Sequence, residues 1–470
     1  MLTYNDIIEI RKNNGISQSK LAELAGFSKS QISSWELGKK IPTEENLKLL
    51  KSILEKTINE IKSGESDIRK KRITVSSKKR VSLPTIIKSA DEYIKLLNTN
   101  NTTNTPYKNI LSNLYCRSMI EKNSDAPKAI ALFAGCGGLS LGFSAQGFKL
   151  VGHVEIESSA NAIYDANFKE SVLLGTDIKA ISDKELKRWK SEYGEIDVII
   201  GGPPCQGFSL AGKRDSYDVR NQLYLYYVHL VSIVKPKAFV MENVKLLTSM
   251  KTPDGRLFID CIEDEFSKVG YTLEKKVLNA SDFGIPQSRE RIFIVGVRAD
   301  LNKKFRFPKS NDALEDGNLS QSVRSFKDAT LDLCTLESGE SSKDPLHWSV
   351  CHPEHVIKWL EGVPEGESAH NNKEPELRPP SGFNTTYKRI KWDEPCSTIS
   401  TNFSMISGCR NVHPTSTRSL TIREAARSQS FPDEFIFTGK WGDIRKAIGN
   451  AVPPMLAEVI AKALKTQVLD

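Results

Sequence analysis

The chain lacks any apolar run long enough to cross a membrane, and its first residues lack the pattern of a secretory signal peptide. A membrane-spanning helix needs about 20 consecutive apolar residues, and no run among the 470 residues approaches that length. The opening residues MLTYNDIIEIRKNNG contain no apolar core followed by small residues, as cleaved signals have. We therefore expect a soluble protein.

Paired cysteines are also missing. The eight cysteines are scattered without a CxxC pair, which excludes a zinc ribbon and argues against a disulfide framework. Cys351, His352 and His355 lie close together in the sequence, but no second ligand pair at zinc spacing accompanies them. The sequence predicts a protein of the reducing cytoplasm with no metal site.

The net charge of +8 is confined to the first quarter of the chain. Residues 1–125 contain 22 lysines and arginines against 14 acidic residues, whereas the remainder contains 44 of each. Basic segments of this kind usually bind nucleic acid, although they can also be solvated tails.

Residues 7–54 form short apolar blocks at helical spacing, separated by Gly15, Gly26 and Gly38. A helix over 18–25, a turn at Gly26 and a helix over about 29–37 predict a helix-turn-helix. The pattern SQxxLAxxxGxSxxxISxWExG resembles the lambda-repressor-like family, which implies that the second helix enters the major groove of DNA. The alternative is a helical protein-interaction module. The resemblance implies these DNA-binding residues: Gln18, Lys29, Ser30, Gln31 and Ser34.

Residues 61–125 are interpreted as a basic and polar linker. The stretch 62–88 is rich in lysine and arginine, and NTNNTTNTP (98–106) is polar and of low complexity. IIKSADEYIKLL, between them, is compatible with one amphipathic helix.

From residue 129 onward, apolar runs bounded by turn residues alternate with helical stretches. Continuous β-branched runs joined by crossover helices predict a doubly wound, mostly parallel α/β sheet that is covered on both faces. The runs cover residues 129–135, 150–156, 172–178, 197–202, 238–244 and 291–297.

The turn after the first of these runs, FAGCGGLSLGF (133–143), is rich in glycine and has no Walker lysine. Glycines let the backbone pass close to a ligand, and the missing lysine favours an adenosyl ligand without phosphates to neutralise. Glu155 and Asp177 lie at the ends of the next two runs, where acidic groups can accept hydrogen bonds from a ribose and from an adenine amino group.

A second loop, in DVIIGGPPCQGFS (197–209), displays Cys205 at the carboxyl end of a strand. Two glycines and two prolines set a backbone path that neither helix nor strand can continue. Open α/β sheets bind their ligands at the carboxyl ends of their strands. For an isolated cysteine, the alternative of a small buried hydrophobic residue would be preferred.

Several motifs together resemble those of the DNA cytosine-5 methyltransferases. They are, in chain order, FAGCGGLSLGF, GGPPCQGFS, MENV (241–244), QSRERIFIVG (287–296), TIREAARSQSFPDEF (421–435) and GNAVPPMLAEVIAKAL (449–464). The resemblance covers about 129–465. It implies S-adenosylmethionine as the methyl donor and double-stranded DNA as the substrate.

The chemistry of the family requires an activated cytosine ring, because C5 is a poor nucleophile. The resemblance implies that the Cys205 thiolate adds to C6 and that Glu242 neutralises the charge at N3. Arg289 and Arg291 lie two residues apart and so share one face of a strand. By analogy they hold the base carbonyl and support the thiol and the acid; surface salt bridges are the alternative reading.

The resemblance also implies a cofactor pocket, and Asn450 requires the last helix, at about 455–467, to fold back beside the first strand. The implied pocket residues are Phe133, Gly135, Gly137, Gly138, Leu139, Glu155, Ile156, Asp177, Ile178, Pro203, Leu223, Asn450 and Val452.

DNA contacts and domain boundaries complete the prediction. Residues 209–221 resemble the family's closing loop over a flipped base, with Ser209, Lys213 and Arg214 facing DNA. The predicted regions are a helix-turn-helix domain (1–60), the linker (61–125), a catalytic domain (126–300), a target-recognition domain (301–415) and a return to the catalytic domain (416–470).

Three functions remain open from the sequence. The first is a DNA cytosine-5 methyltransferase of a bacterial restriction-modification system, whose N-terminal domain regulates transcription of the system's own genes and whose partner nuclease acts separately. The second is an RNA methyltransferase of the tRNA-modifying subgroup, although the Cys-Phe-Thr tripeptide typical of that subgroup is absent. The third is a DNA-binding regulator with an inert methyltransferase half.

Overall fold

The computed structural model of the chain describes residues 4–13, 18–25, 27, 29–36, 42–62, 86–98, 103–204, 223–310, 323–380 and 382–470. The chain divides into two compact units, Met1–Arg80 and Val81–Asp470. Each is described by itself below.

The first unit is helical and contains α1 (Tyr4–Asn13), α2 (Gln18–Ala25), α3 (Lys29–Glu36) and α4 (Glu44–Lys62). Its apolar side chains recur at helical spacing and meet in one small core. The buried members of this core are Ile7, Leu21, Ala22, Ile32, Trp35, Leu50 and Leu54. The predicted helix-turn-helix is therefore confirmed, with α2 and α3 as its two helices.

The second unit is built on a seven-stranded sheet with the order β4-β3-β2-β5-β6-β9-β7. The first five strands of that order run parallel, whereas β9 is antiparallel to both β6 and β7. The strands of the unit are β1 (Ile86–Ile87), β2 (Lys128–Leu132), β3 (Lys149–Val154), β4 (Val172–Gly175), β5 (Val198–Gly201), β6 (Ala238–Val244), β7 (Tyr271–Asn279), β8 (Gln287–Ser288), β9 (Glu290–Arg298), β10 (Cys396–Ser397) and β11 (Gly439–Lys440).

All six predicted strands are present, and the mostly parallel α/β sheet is confirmed. Of the seven strands in this sheet, β7 is the one that was not predicted. Its sequence YTLEKKVLN has charged residues in its centre. It lies at one edge of the sheet, where solvent tolerates those charges and no continuous apolar run is needed.

Helices cover both faces of this sheet, and the two faces carry separate hydrophobic cores. The helices of the second unit are α5 (Ala90–Asn98), α6 (Pro106–Met119), α7 (Gly138–Ala145), α8 (Ser158–Asn167), α9 (Asp183–Tyr193), α10 (Leu223–Val234), α11 (Phe258–Lys268), α12 (Phe326–Thr330), α13 (Glu354–Leu360), α14 (Ile422–Ser428), α15 (Trp441–Asn450) and α16 (Pro454–Leu464). Within the described ranges, no helix has the length and apolar character needed to cross a bilayer.

The structure differs from the linker interpretation of residues 61–125. Both α5 and α6 bury apolar side chains in the core of the second unit, among them Tyr93, Tyr107 and Leu114. The Tyr93 hydroxyl donates to the Asp433 carbonyl (2.8 Å), and the Tyr107 hydroxyl donates to the Arg427 carbonyl (3.0 Å). The amphipathic helix compatible with IIKSADEYIKLL is present as α5, whereas α6 was not expected, because only one face of it is apolar.

The C-terminal part returns to the catalytic sheet, as the motif order predicts. Helix α16 packs on α7 so closely that a Cβ added to Gly142 would lie 2.4 Å from the Glu458 backbone nitrogen. The predicted last helix, at about 455–467, therefore lies beside the helix that follows the first strand of the sheet.

Most of region 323–415 is irregular, with α12, α13 and β10 as its helices and strand. A separate small core includes Val356, Leu360, Tyr387, Ile406 and Val412. This core packs the irregular segments of the region against one another.

Candidate active site

The candidate site starts from a carboxyl group at the end of a buried strand. Strand β6 has the sequence AFVMENV, and its apolar residues are followed by Glu242, whose side chain is 12% exposed. In the antiparallel pairing, Val244 lies opposite Arg291 of β9. This register brings Arg291 Nε within 3.1 Å of Glu242 Oε1.

Burial raises the pKa of the Glu242 carboxyl, because a charged group loses solvation in the protein interior. The guanidinium groups of Arg291 and Arg289 act in the opposite direction, since a neighbouring positive charge favours the carboxylate. The net direction is upward. Glu242 therefore keeps a proton to higher pH than an exposed glutamate does.

The loop that leads to Cys205 begins against this carboxyl group. A Cβ added to Gly202 would lie 3.0 Å from Glu242 Oε2, so a side chain larger than glycine would press on the acid. The Asn243 amide donates to the Pro203 carbonyl (2.9 Å), which ties the MENV turn to the Gly-Pro loop. Cys205 itself lies outside the described residues, as do Ser209, Lys213 and Arg214.

Arg289 lies two residues before Arg291 but contacts different groups. Its side chain is 1% exposed and donates to the backbone carbonyls of Ile399 (3.0 Å), Gly449 (3.1 Å) and Ala451 (2.9 Å). It thus holds together β8–β9, the segment after β10 and the loop after α15. This geometry is that of a positioning residue.

Two glutamines that were not singled out from the sequence extend the same connection. The Gln287 side-chain oxygen accepts from the Ile399 amide (2.8 Å), while its nitrogen donates to Gln429 Oε1 (2.6 Å). Gln429 in turn donates to the Ile448 carbonyl (2.8 Å). The motifs QSRER and SQSFP contain both residues, but a sequence cannot show that they bond each other.

The glycine-rich loop is held by the acidic residue after the second strand of the domain. Glu155 is buried, and its two carboxylate oxygens accept from the backbone amides of Gly135 (2.7 Å) and Glu157 (2.8 Å). Gly135 and Gly137 have positive φ, at +55° and +94°, which favours glycine. The side chain expected to hold a ribose therefore also fixes the shape of the loop.

The other predicted cofactor residues surround the same end of the sheet. Phe133 has a positive φ of 51°, and Ile156 is an unusually exposed apolar side chain (64%) directly after Glu155. Asp177 caps a short 3-10 helix by accepting from the Lys179 amide (3.0 Å). Leu139, Ile178 and Pro203 are buried, and Leu223 at the start of α10 is partly buried.

The distant C-terminal loop meets the glycine-rich loop directly. A Cβ on Gly138 would lie only 2.3 Å from the Val452 carbonyl oxygen, so this glycine permits the close approach of the two backbones. Val452 is buried, whereas Asn450 at the end of α15 is exposed. The structure thus brings residues of the two ends of the catalytic sequence to one site.

The first unit presents a separate candidate surface on α3. Arg11 and Glu36 form a part-buried pair (Nε to Oε1 2.9 Å), and Gln18 donates to Glu36 Oε2 (2.7 Å), which joins α1, α2 and α3. Gln31 is exposed and Ser34 is partly exposed on α3. Lys29 and Ser30 lie at the start of that helix, and their side chains are outside the described residues.

A buried acid with a raised pKa, in contact with the start of the segment that leads to Cys205, suits group transfer that needs a nucleophile and a proton donor. Comparisons with known proteins agree with this geometry. The model of the C-5 cytosine-specific DNA methylase family matches residues 127–466, and a helix-turn-helix model matches residues 7–61.

Two similar curated proteins are type II methyltransferases. M.Sau96I of Staphylococcus aureus is 33% identical over 98% of this chain and 98% of its own length. M1.HphI of Haemophilus parahaemolyticus is 37% identical over 75% of this chain and 88% of its own length. The match to M.Sau96I extends through both units.

Solved structures show the same fold. A DNA modification methyltransferase encoded within an E. coli prophage has a TM-score of 0.57 at 27% identity and covers 73% of this chain and 100% of that chain. The Dnmt2 methyltransferase of S. pombe has a TM-score of 0.50 at 17% identity, with coverages of 72% and 99%. The second likeness concerns the fold alone.

Proposed function

Because this chain belongs to the C-5 cytosine-specific DNA methylase family, we propose that it methylates C5 of cytosine within a specific double-stranded DNA sequence through Cys205 and Glu242. The observation that carries the proposal is the Glu242–Arg291 pair at the end of β6, in contact with the start of the GGPPC loop. The pair lies near the carboxyl end of β6, and open α/β domains bind ligands at the carboxyl ends of their strands.

The first step is addition of the Cys205 thiolate to C6 of the ring. An unperturbed thiol with a pKa of about 8.5 is only slightly ionised at neutral pH, so the site must deprotonate it or lower its pKa. Addition places electron density on C5 and charge at N3. Glu242, whose pKa is raised by burial, would donate a hydrogen bond to N3 from its protonated form, and Arg291 keeps the carboxyl group in place.

The residues around the glycine-rich loop fit S-adenosylmethionine. Gly135 has open space around its Cα, Ile156 offers an exposed apolar surface, and Glu155 keeps the loop shape. When bound, this cofactor supplies an electrophilic methyl group. Asn450 and Val452 would close the pocket from the C-terminal side.

The target base must leave the duplex, since its C5 and C6 faces are hidden in the base stack. Flipping costs a few kcal/mol, which contacts in the pocket offset. We assign closure over the flipped base to residues 209–221, with Ser209, Lys213 and Arg214 toward DNA, and sequence choice to 301–415.

We further propose that the protein acts in the cytoplasm as the modification enzyme of a restriction-modification system, protecting DNA from a separately acting endonuclease. Similarity to type II methyltransferases supports this role. The first unit, with Gln18, Lys29, Ser30, Gln31 and Ser34 at its DNA surface, would bind an operator and limit transcription of the system's genes.

Bisulfite sequencing of DNA from cells that express the chain tests the activity and reveals the target together. Incubation with duplex DNA that contains 5-fluorocytosine should trap a covalent complex, because fluorine blocks elimination at C5. Cys205→Ser should give neither methylation nor the trapped species. Methylation of tRNA but not of duplex DNA would instead support the RNA-modifying alternative, and no methylation of either would support an inert regulator.

The regulatory role has its own test. A fragment of residues 1–75 should shift the DNA upstream of its own gene at lower concentrations than random DNA in a gel assay. Equal affinity for both would reduce the first unit to an electrostatic anchor.

A further inference from the structure

The segment 398–410, called here the β10 loop, follows strand β10 and starts at the candidate active site. Strand β10 pairs in parallel with β8, and the Ile399 carbonyl accepts from Arg289 (3.0 Å). The Thr398 hydroxyl donates to the Ser288 carbonyl (2.8 Å). The loop therefore leaves from the strands that carry the two active-site arginines.

The next part of the loop packs against one face of helix α15. Trp441, Arg445 and Gly449 are four residues apart and share one helix face. Arg445 Nη1 donates to Ser404 Oγ (2.6 Å), and its guanidinium lies 5.3 Å from the Trp441 ring centroid. A Cβ on Gly449 would lie 2.4 Å from the Thr401 backbone nitrogen.

The loop is also anchored on its far side. Ile406 belongs to the small core of the region, and its carbonyl accepts from the Tyr387 amide (3.3 Å). Phe403, Ser404 and Ile406 are buried, whereas Met405 between them is 52% exposed. Met405 is therefore an accessible apolar side chain on a loop whose neighbouring residues are held in place on both sides.

Chain length limits how far Met405 lies from the reacting base. Met405 lies six positions after Ile399, so their Cα atoms are at most about 20 Å apart. This distance corresponds to roughly six base-pair steps of a duplex. This bound keeps Met405 within a few base-pair steps of the residue that bonds Arg289.

We propose that Met405 is a specificity-determining residue that contacts the apolar C5 edge of a pyrimidine in the major groove, and that Arg445 positions it through Ser404. Apolar side chains read this edge, most strongly the methyl group of thymine. This inference rests on the proposed function, and it names the reading residue within the predicted target-recognition region.

Purified full-length protein should be tested on a pool of duplexes with randomised bases around cytosine, read by bisulfite sequencing. Met405→Ala should relax the preference at one base position by about tenfold, a typical effect of one lost base contact. Leu331→Ala is the matched control, because Leu331 is a 62% exposed apolar residue of the same region outside the β10 loop. Its preference profile should equal that of the wild type.

A Met405→Ala profile within twofold of the wild type at every position would overturn the proposal, as would an equal loss on all sequences. A wild-type protein that methylates no duplex cytosine would instead refute the proposed function.

The positioning role of Arg445 has a separate readout. Arg445→Ala and Ser404→Ala should each raise the KM for DNA by about tenfold with kcat retained, and the double variant should be no worse than the worse single variant, because both remove the same bond. Arg445→Lys, which keeps a donor, should recover most of the loss. Additive effects or an unchanged KM would contradict this role.

Discussion

The core of the first unit is formed by residues between Ile7 and Leu54. In the core of the second unit, by contrast, residues hundreds of positions apart in the sequence pack together. Arg117 of α6 pairs with Glu458 of α16 (2.8 Å) across 341 positions, and Tyr93 reaches Asp433 across 340. A core made of local contacts can fold alone. A core closed over such distances needs both distant segments present.

The difference extends to charge. Among the described residues of the first unit, the ion pair between Arg11 and Glu36 is largely buried. In the second unit α14 adds a buried network in which Arg423 contacts Asp344 (2.7 Å), and Arg427 contacts Asp433 (2.7 Å) and Asp332 (2.6 Å). The neighbouring arginines hold the pKa of the Asp433 carboxyl below its usual range, despite burial. The network fastens residues of the irregular 323–415 region to helix α14.

Truncation breaks the comparison most severely. Removing residues 1–80 should leave a methyltransferase with normal methylation, because the second unit begins at Val81. Removing residues 1–122 should abolish activity and soluble expression, since α5 and α6 take buried Tyr93, Tyr107, Leu111 and Leu114 with them. Methylation assays and calorimetry on both truncations check this. An active 123–470 fragment would show that α5 and α6 are dispensable.

Arg427→Met should destabilise the second unit by about 3–5 kcal/mol, because it removes this arginine from the buried Asp332 and leaves Asp433 with Arg423 alone. Arg11→Met, its counterpart in the first unit, should cost about 1–3 kcal/mol, since it leaves one part-buried carboxylate. In calorimetry each variant should shift only the transition of its own unit. A shift of both transitions by either variant would mean that the units unfold together.

Glu242→Gln should lower kcat by about 100-fold, the usual contribution of a general acid. The raised pKa of Glu242 keeps the proton available as pH rises, until the carboxyl ionises and activity falls. The amide has no such proton to lose, so the alkaline decline should disappear from the pH profile of methyl transfer. Operator binding by the first unit should be unchanged. A variant that keeps the wild-type pH profile would exclude Glu242 as the donor.

Gly142→Ala gives the smallest effect, about 1–3 kcal/mol from overpacking between α7 and α16. The new Cβ would meet the Glu458 nitrogen (2.4 Å) and the Pro454 oxygen (2.5 Å), which are backbone atoms that cannot rotate away. Gly442→Ala, at a helical glycine with open space around it, is the control. Calorimetry should show a lower Tm for Gly142→Ala alone, and titration calorimetry should show weaker S-adenosylmethionine binding. Equal Tm values would mean that α7 and α16 can separate at little cost.

The sequence predicts what is encoded locally. The six strands follow from continuous apolar runs, and the helix-turn-helix follows from helical spacing around Gly26, because each pattern lies within about 20 residues. Glu242 is predictable for the same reason, since its strand ends where the apolar run ends.

Features that depend on distant partners are not predictable in this way. Nothing in the sequence of α5 indicates that Tyr93 bonds a carbonyl 340 positions later. Similarly, the motif around Arg289 suggests contact with a base, yet the structure gives it the carbonyls of Ile399, Gly449 and Ala451 as partners. Register and chain closure, rather than residue type, decide these roles.

The packing of α16 on α7 also determines which part of the chain can fold first during synthesis. The Gln146 side chain, just after α7, donates a hydrogen bond to Glu458 (3.0 Å), which lies 312 residues later in the chain. A ribosome needs roughly 15 to 60 s to synthesise that many residues. The helix-turn-helix emerges and can fold long before that interval ends. If the first unit binds an operator as proposed above, a newly made chain can therefore bind that DNA before its methyltransferase unit is complete.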